Sequence, residues 1–302
     1  TYNHTPTLTE FIENNGQDIR LIYKDGNCWS SLKREAGMCD YPDDENTKHF
    51  VKGIGNLVHA NTVSYISFIR KTMLAKGEIK CNDEREETFA VMLYYSLFID
   101  RISKVGVKSI GEALHRLADY PAFISEILEL TDYLLANLEI KTFSVGEGMP
   151  LSLEQYGCYT REEIFAIFKR QTADKKMQGS VAGVFNIEEL NTELFFVTLN
   201  KSDKDYSAET MYNDYVVSEN EFRWESKNTD SHQGKGKRYV EQKKNGKKFL
   251  LFVRENKKDG FGNTCPFICF GLVDYIRSKD DKPMKINWKT HQPILPQFLS
   301  AV

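Results

Sequence analysis

Asp214 and the run Glu225-Ser226-Lys227 offer two carboxylates and an amine close together in the chain. Metal-dependent nucleases use such a D…E-x-K set, in which the acids hold a cation and the lysine supports the attacking water. That chemistry requires a mixed α/β core with the E-x-K on a central strand, and no flanking helix follows Asp214. Overlapping this set is FRWESKNTDSHQGKGKRY, residues 222–239, where aromatic, basic and amide side chains alternate. Its chemistry is that of a nucleic-acid surface. Lys235, Lys237 and Arg238, with Arg254 further on, neutralise phosphates, while Ser226, Asn228 and Thr229 fix the register through hydrogen bonds. Phe222, Trp224 and Tyr239 offer faces on which a base stacks, for about 1–3 kcal/mol each. Gly234 and Gly236 let a loop backbone come close to a phosphate. A purely structural reading stands beside this one. Phe222 and Trp224 share one face of a strand and serve equally well as core, and Phe252, inside LLFV, fits a core better than a platform. Lys243, Lys244, Lys247 and Lys248 surround KNGK, which reads as a hairpin turn.

Other chemistries lack their residues. No G-x-x-x-x-G-K-[ST] occurs; QGKGKRY has neither the spacing nor the following helix, so this chain does not hydrolyse ATP by the P-loop route. Cys265 and Cys269 lie four apart with no second pair near them, and His232 and His291 are isolated in the sequence. On a strand the two thiols share a face, which favours buried cysteines over a zinc site. No metal site and no cofactor are expected.

Charge singles out the same region. Residues 1–150 carry 16 basic and 22 acidic side chains, and residues 151–302 carry 24 and 21. Within 227–258 there are 11 basic and 3 acidic residues, a local excess of +8 in a chain of net charge −3. A field so concentrated attracts polyanions. The apolar fraction of 41% is ample for real cores. No apolar run reaches the roughly 18–20 residues of a membrane span, and no signal peptide opens the chain. Six cysteines without a paired framework suggest reduced thiols and a cytoplasmic setting. The chain opens on Thr1 and is read as a fragment of a longer protein.

The elements that must position these residues change character along the chain. Capping boxes at Thr7/Glu10 and Ser109/Glu112, helical spacing in CWSSLKREAG and residues 86–102, and Pro121 ahead of AFISEILELTDYLLANL predict a helical bundle over about 7–140. The stretch 141–157, with Gly, Ser and Pro, marks a boundary between a helical connector of residues 1–145 and a β-rich module of residues 150–302. Thr160 and Glu163 start one more helix. Beyond it LFFVTLN, MYNDYVV, EFRWES, KKFLLFVRE, PFICFGLVDYIRS and MKINWK alternate as strands. With no helix of useful length between them, the expected fold is α+β. Its second half is a mainly antiparallel β-barrel or β-sandwich.

Three segments carry a resemblance to a known family: FFVTLNKSDKDYSAETMYNDYVVSENEFRWESKNT, GKRYVEQKKNGKKFLLFVRE and FGLVDYIRSKDDKPMKINWK. Over about 155–296 they look like a domain of unknown function at the C-terminus of bacterial superfamily-two helicases. Those helicases often carry an N-terminal phospholipase-D-type nuclease domain. TLTEFIENNGQDIRLIYKDGNCWSSLKREAG is similar to the helical segment after the motor in the same proteins. The resemblance implies that ATPase and nuclease lie upstream in the same polypeptide. It implies an accessory module here, one that senses DNA, modified bases included, in restriction or phage defence. In the family pattern the residue at position 225 is replaceable by an amide, which weakens Glu225 as a metal ligand. The expected partners are DNA and the upstream domains, with no membrane. The alternatives are the nuclease of Asp214, Glu225 and Lys227, and a protein-interaction scaffold docking on the motor.

Overall fold

The computed structural model describes residues 4–177, 183–201 and 214–299. The chain is α+β and divides into two compact units. One comprises Thr1–Thr142, Pro150–Gly179 and Gly260–Asn263; the other comprises Phe143–Met149, Ser180–Asp259 and Thr264–Val302.

The first unit is built of helices: α1 (Leu8–Asn15), α2 (Ile19–Ile22), α3 (Trp29–Glu35), α4 (Glu45–Gly53), α5 (Val63–Leu74), α6 (Glu84–Phe98), α7 (Ile102–Val105), α8 (Ile110–His115), α9 (Pro121–Ala136) and α10 (Arg161–Ile167). Their starts are chemically marked. Thr7 accepts from the Glu10 amide while the Glu10 carboxylate accepts from the Thr7 amide, and Thr160 and Glu163 repeat the exchange at α10. At α8 only half of the expected box forms. Ser109 accepts from the Glu112 amide, but the Glu112 carboxylate reaches one residue further back, to the Lys108 amide. Helix α6 is buried over most of its circumference, Phe89, Met92, Leu93, Tyr94, Leu97 and Phe98 among them. Helices α4 and α5 carry apolar faces that the sequence pattern does not single out.

The second unit contributes seven strands to its sheet: β1 (Val184–Ile187), β2 (Thr192–Thr198), β3 (Tyr215–Ser218), β4 (Glu221–Glu225), β5 (Lys248–Arg254), β6 (Phe267–Lys279) and β7 (Lys285–Thr290), ordered β1-β2-β5-β6-β7-β4-β3. Met211, Tyr212 and Asn213 of the expected strand MYNDYVV lie outside the described residues. Among the described residues β1 and β3 are the ends of this order and do not pair, so the sheet is open and sandwich-like, not a closed barrel. One pairing departs from the otherwise antiparallel order. β2 and β5 run parallel, from Thr192↔Lys248 to Thr198↔Arg254. The chain leaves β2, forms the β3–β4 hairpin and two single-turn helices, α11 (Lys237–Val240) and α12 (Gln242–Asn245), and re-enters beside β2 in the same direction. That excursion supplies the crossover a parallel pair needs. The helices also replace the hairpin turn expected at KNGK: α12 ends there, with Gly246 at φ 59° as its left-handed cap.

Along β4 burial alternates, Phe222 and Trp224 facing in. They join Phe195, Tyr239, Phe249, Ile286 and Trp288 in one apolar core. Phe195 stacks on Trp224 with ring centroids 4.5 Å apart, and Phe249 meets Trp288 at 4.8 Å. Each such ring contributes about 1.5–3 kcal/mol by leaving water. Between β6 and β7 the register slips: Arg277 faces Asn287, but Tyr275 faces Trp288, so Ile276 is the extra residue of a bulge.

Candidate nucleic-acid interface

Strand β4 and the segment that follows it carry most of the residues the sequence singles out, and burial sorts them into two sets. Phe222 and Tyr239 are fully buried and Trp224 is 5% exposed. Trp224 stacks on Phe195, Tyr239 packs against Phe249 and Trp288, and Phe222 lies in the same core, so they stabilise the core and are not presented for stacking on a base. Ser226 is buried as well. Its amide donates to the Met284 carbonyl, and its Oγ accepts from the Met284 amide, both at 2.9 Å. It fastens the end of β4 to the turn before β7.

The inner cations are engaged within the fold. Arg238 donates from Nε to Glu193 Oε1 at 2.8 Å, lies 3.5 Å from Asp230 Oδ2, and covers the Tyr239 ring at 4.1 Å. It also bonds the Lys235 carbonyl and the Tyr239 hydroxyl. Glu193 and Asp230 are 4% and 1% exposed, and Lys247 Nζ lies 3.3 Å from Glu193. Burial pushes the Tyr239 phenol well up, while the neighbouring guanidinium pulls against it. Arg254, also buried, donates from Nε to Thr198 Oγ1 at 2.9 Å and from Nη1 to the Cys265 carbonyl at 3.2 Å, over the ring of Phe267. Buried cations must be paired, because an unpaired one loses its hydration without return. Arg238 and Arg254 therefore act as internal clamps.

The outer set is different. Lys227, Asn228, Thr229, Lys235, Lys237, Lys243 and Lys244 are exposed. Lys237 and Lys244 share a loose contact with Glu241, at 3.8 and 3.4 Å. Lys227, Lys235 and Lys243 make no ion pair among the described residues. Val240, Gln242, Lys243, Lys244, Tyr275 and Ile276, together with Glu241, line an open cleft of about 410 Å³.

Within the D…E-x-K set, Asp214 is already engaged inside the fold. Asp214 is 8% exposed and both its oxygens are engaged, Oδ2 by Lys201 Nζ at 2.6 Å and Oδ1 by the Glu225 amide at 2.9 Å. Burial raises its pKa against the pull of Lys201. Lys227 is exposed, two residues past the strand. Among the described residues no three His, Cys, Asp or Glu side chains converge as metal ligands. Cys269 is buried and its thiol is pushed up to about 12 by that burial; Cys265 is half-buried.

Sequence reasoning misses one constellation. His232 donates its amide to Asp281 Oδ1 at 2.7 Å and sets its ring Nδ1 2.8 Å from the same oxygen. Its Nε2 lies 2.7 Å from Ser278 Oγ, which is 2.8 Å from the Tyr275 hydroxyl. Hydrogen bonds to His232 hold the Asp281 carboxyl below the usual carboxylate range. The partners are far apart in sequence and only the β6–β7 turn brings them together.

Residues 153–300 match the family model of a domain of unknown function, DUF3427, a span that begins ahead of the sheet and takes in α10. No curated protein matches the chain.

Proposed function

We propose that residues 153–300 form a non-catalytic accessory module that binds DNA through its phosphates, using the exposed lysines of 227–244. One observation carries this reading: in the most basic stretch of the chain Arg238 and Lys247 are taken up by Glu193 and Asp230 and Arg254 is buried, yet five lysines stay exposed, three of them without an ion pair among the described residues. Surface cations held this way release counterions when they meet phosphates. Asn228 and Thr229, exposed in the same loop, suit register contacts to the backbone. The resemblance to helicase-appended modules supports a place beside a motor and a nuclease of the same polypeptide, in restriction or phage defence.

The test is a labelled DNA duplex titrated with the chain at several salt concentrations. Binding is expected to weaken steeply with salt. Replacing Lys227, Lys235, Lys243 and Lys244 together with Ala should flatten the slope of log K against log salt by roughly 0.9 for each phosphate no longer neutralised. Affinity that ignores salt, or survives the quadruple replacement, overturns the reading. Magnesium-dependent cutting of the duplex would favour the nuclease of Asp214, Glu225 and Lys227 instead. Co-purification with the motor without affinity for DNA would favour the scaffold.

A further inference from the structure

We propose that the cleft between α11–α12 and β6 receives an unpaired nucleotide of a single strand. Tyr275, Val240 and Ile276 meet the base, and Lys243 and Lys244 meet the flanking phosphates. This rests on the phosphate-binding reading above and names the substrate class of the same surface.

The β6 bulge is what makes the cleft apolar. Because Ile276 is the extra residue between Tyr275 and Arg277, it turns outward and is 38% exposed, while Tyr275 stays half-buried with its ring edge-on to Trp288, centroids 6.2 Å apart. Bulges re-aim side chains beside binding sites. Val240, 37% exposed, comes from α11. These apolar side chains border the cleft that Lys243 and Lys244 also line. Apolar contact beside positive charge is the pattern that single-strand binders present to base and backbone.

The cleft is preformed. Gln242, at the start of α12, donates from Nε2 to the Val273 carbonyl at 2.9 Å and accepts from the Tyr275 amide at 2.6 Å. The helix is thus pinned to the strand on both sides of residue 274. The Tyr275 hydroxyl is tied to Ser278, Ser278 to His232, and His232 to Asp281. Ser278, His232 and Asp281 therefore fix the ring before any ligand arrives, so binding does not have to order it. A volume of about 410 Å³ lies at the small end of ligand sites, which span roughly 300–1,000 Å³. It suits one splayed nucleotide, and a base is available for stacking only where it is unpaired. Glu241 lies on the same rim, and its contacts to Lys237 and Lys244 temper its charge.

The experiment uses the full chain and fluorescence anisotropy with three probes: a short oligothymidylate, an abasic strand of equal length, and a duplex. The base-bearing strand is expected to bind about tenfold tighter than the abasic one. Tyr275→Ala and Ile276→Ser should each erase that margin and leave duplex affinity unchanged, while Tyr275→Phe should keep it. Equal binding of the two strands by the wild-type chain overturns the inference, as does a margin that survives both replacements. If circular dichroism shows Tyr275→Ala unfolded, the exposed Ile276→Ser decides alone. Absence of binding to all three probes overturns the phosphate reading and this one with it, whereas duplex binding without a base margin overturns only this one.

Discussion

Glu126 in the helical unit and Glu193 in the sheet unit are buried acids kept by different means. In the helical unit Glu126 is fully buried, and its oxygens accept the amides of Trp29 and Ser30 at 2.8 and 2.7 Å, capping α3 from a distant helix. Glu163, 3% exposed, accepts the Thr160 amide at the start of its own helix and also bonds His59. Backbone donors at helix N-termini are unsatisfied by default, so a carboxylate there meets an existing need. In the sheet unit the strand amides already serve the ladder. Buried Glu193 turns instead to the cationic side chains Arg238 and Lys247, while Asp214 divides its oxygens between Lys201 and the Glu225 amide at the end of β4. The difference teaches that a count of positive charge overstates what a sheet module can offer a ligand, because its own buried acids draw on the same cations.

Replacing each acid breaks or sharpens this contrast. Glu193→Ala should have the largest effect, about 3–5 kcal/mol lost in urea denaturation, since it leaves Arg238 and Lys247 without that carboxylate. Glu193→Gln should rescue little, because an amide carries no charge. Glu126→Ala should cost about 2 kcal/mol by leaving two buried amides unsatisfied. Here Glu126→Gln should recover a good part, since one oxygen still accepts. Equal rescue by Gln at both positions would dissolve the distinction. The smallest effect concerns Asp281, an exposed acid bonded to His232. Its carboxyl is lowered in the folded chain from an ordinary value of 3.8, so its contribution is present above that pH and is lost as pH falls through the folded value. The urea midpoints of wild type and Asp281→Asn should differ near neutrality and converge in acid. A gap that persists at low pH would remove the ionised carboxylate from the His232 chain.

Much of the fold is legible because its signals are local. Capping residues Thr7 and Thr160 stand where the helices begin, the alternation in FRWE is that of a half-buried strand, and the continuous apolar run KFLLFV is that of a buried one. What stays hidden depends on long-range pairing. The parallel β2–β5 contact, the helices at 237–245, and the bulge at Ile276 follow from where distant strands meet, and no local period records that. The candidate site divides the same way. Residues 222–239 stand out by composition, but composition does not distinguish Lys235, exposed, from Arg238, held by Glu193 and Asp230. Tyr275 and Ile276 lie outside the basic stretch, inside a run that reads as ordinary strand.

By itself the sequence determined the helical first part, the strand-rich second part and the concentration of lysines within 227–258, because capping, periodicity and charge are properties of neighbours along the chain. Only the tertiary structure decided that Trp224 and Tyr239 are core, that Arg238 and Arg254 are internal clamps, and that Tyr275 borders a cleft with Lys243 and Lys244. Burial and ion pairing are set by what packs across the sheet. A buried cation or ring is committed to its partners before a ligand arrives, and an exposed one is not.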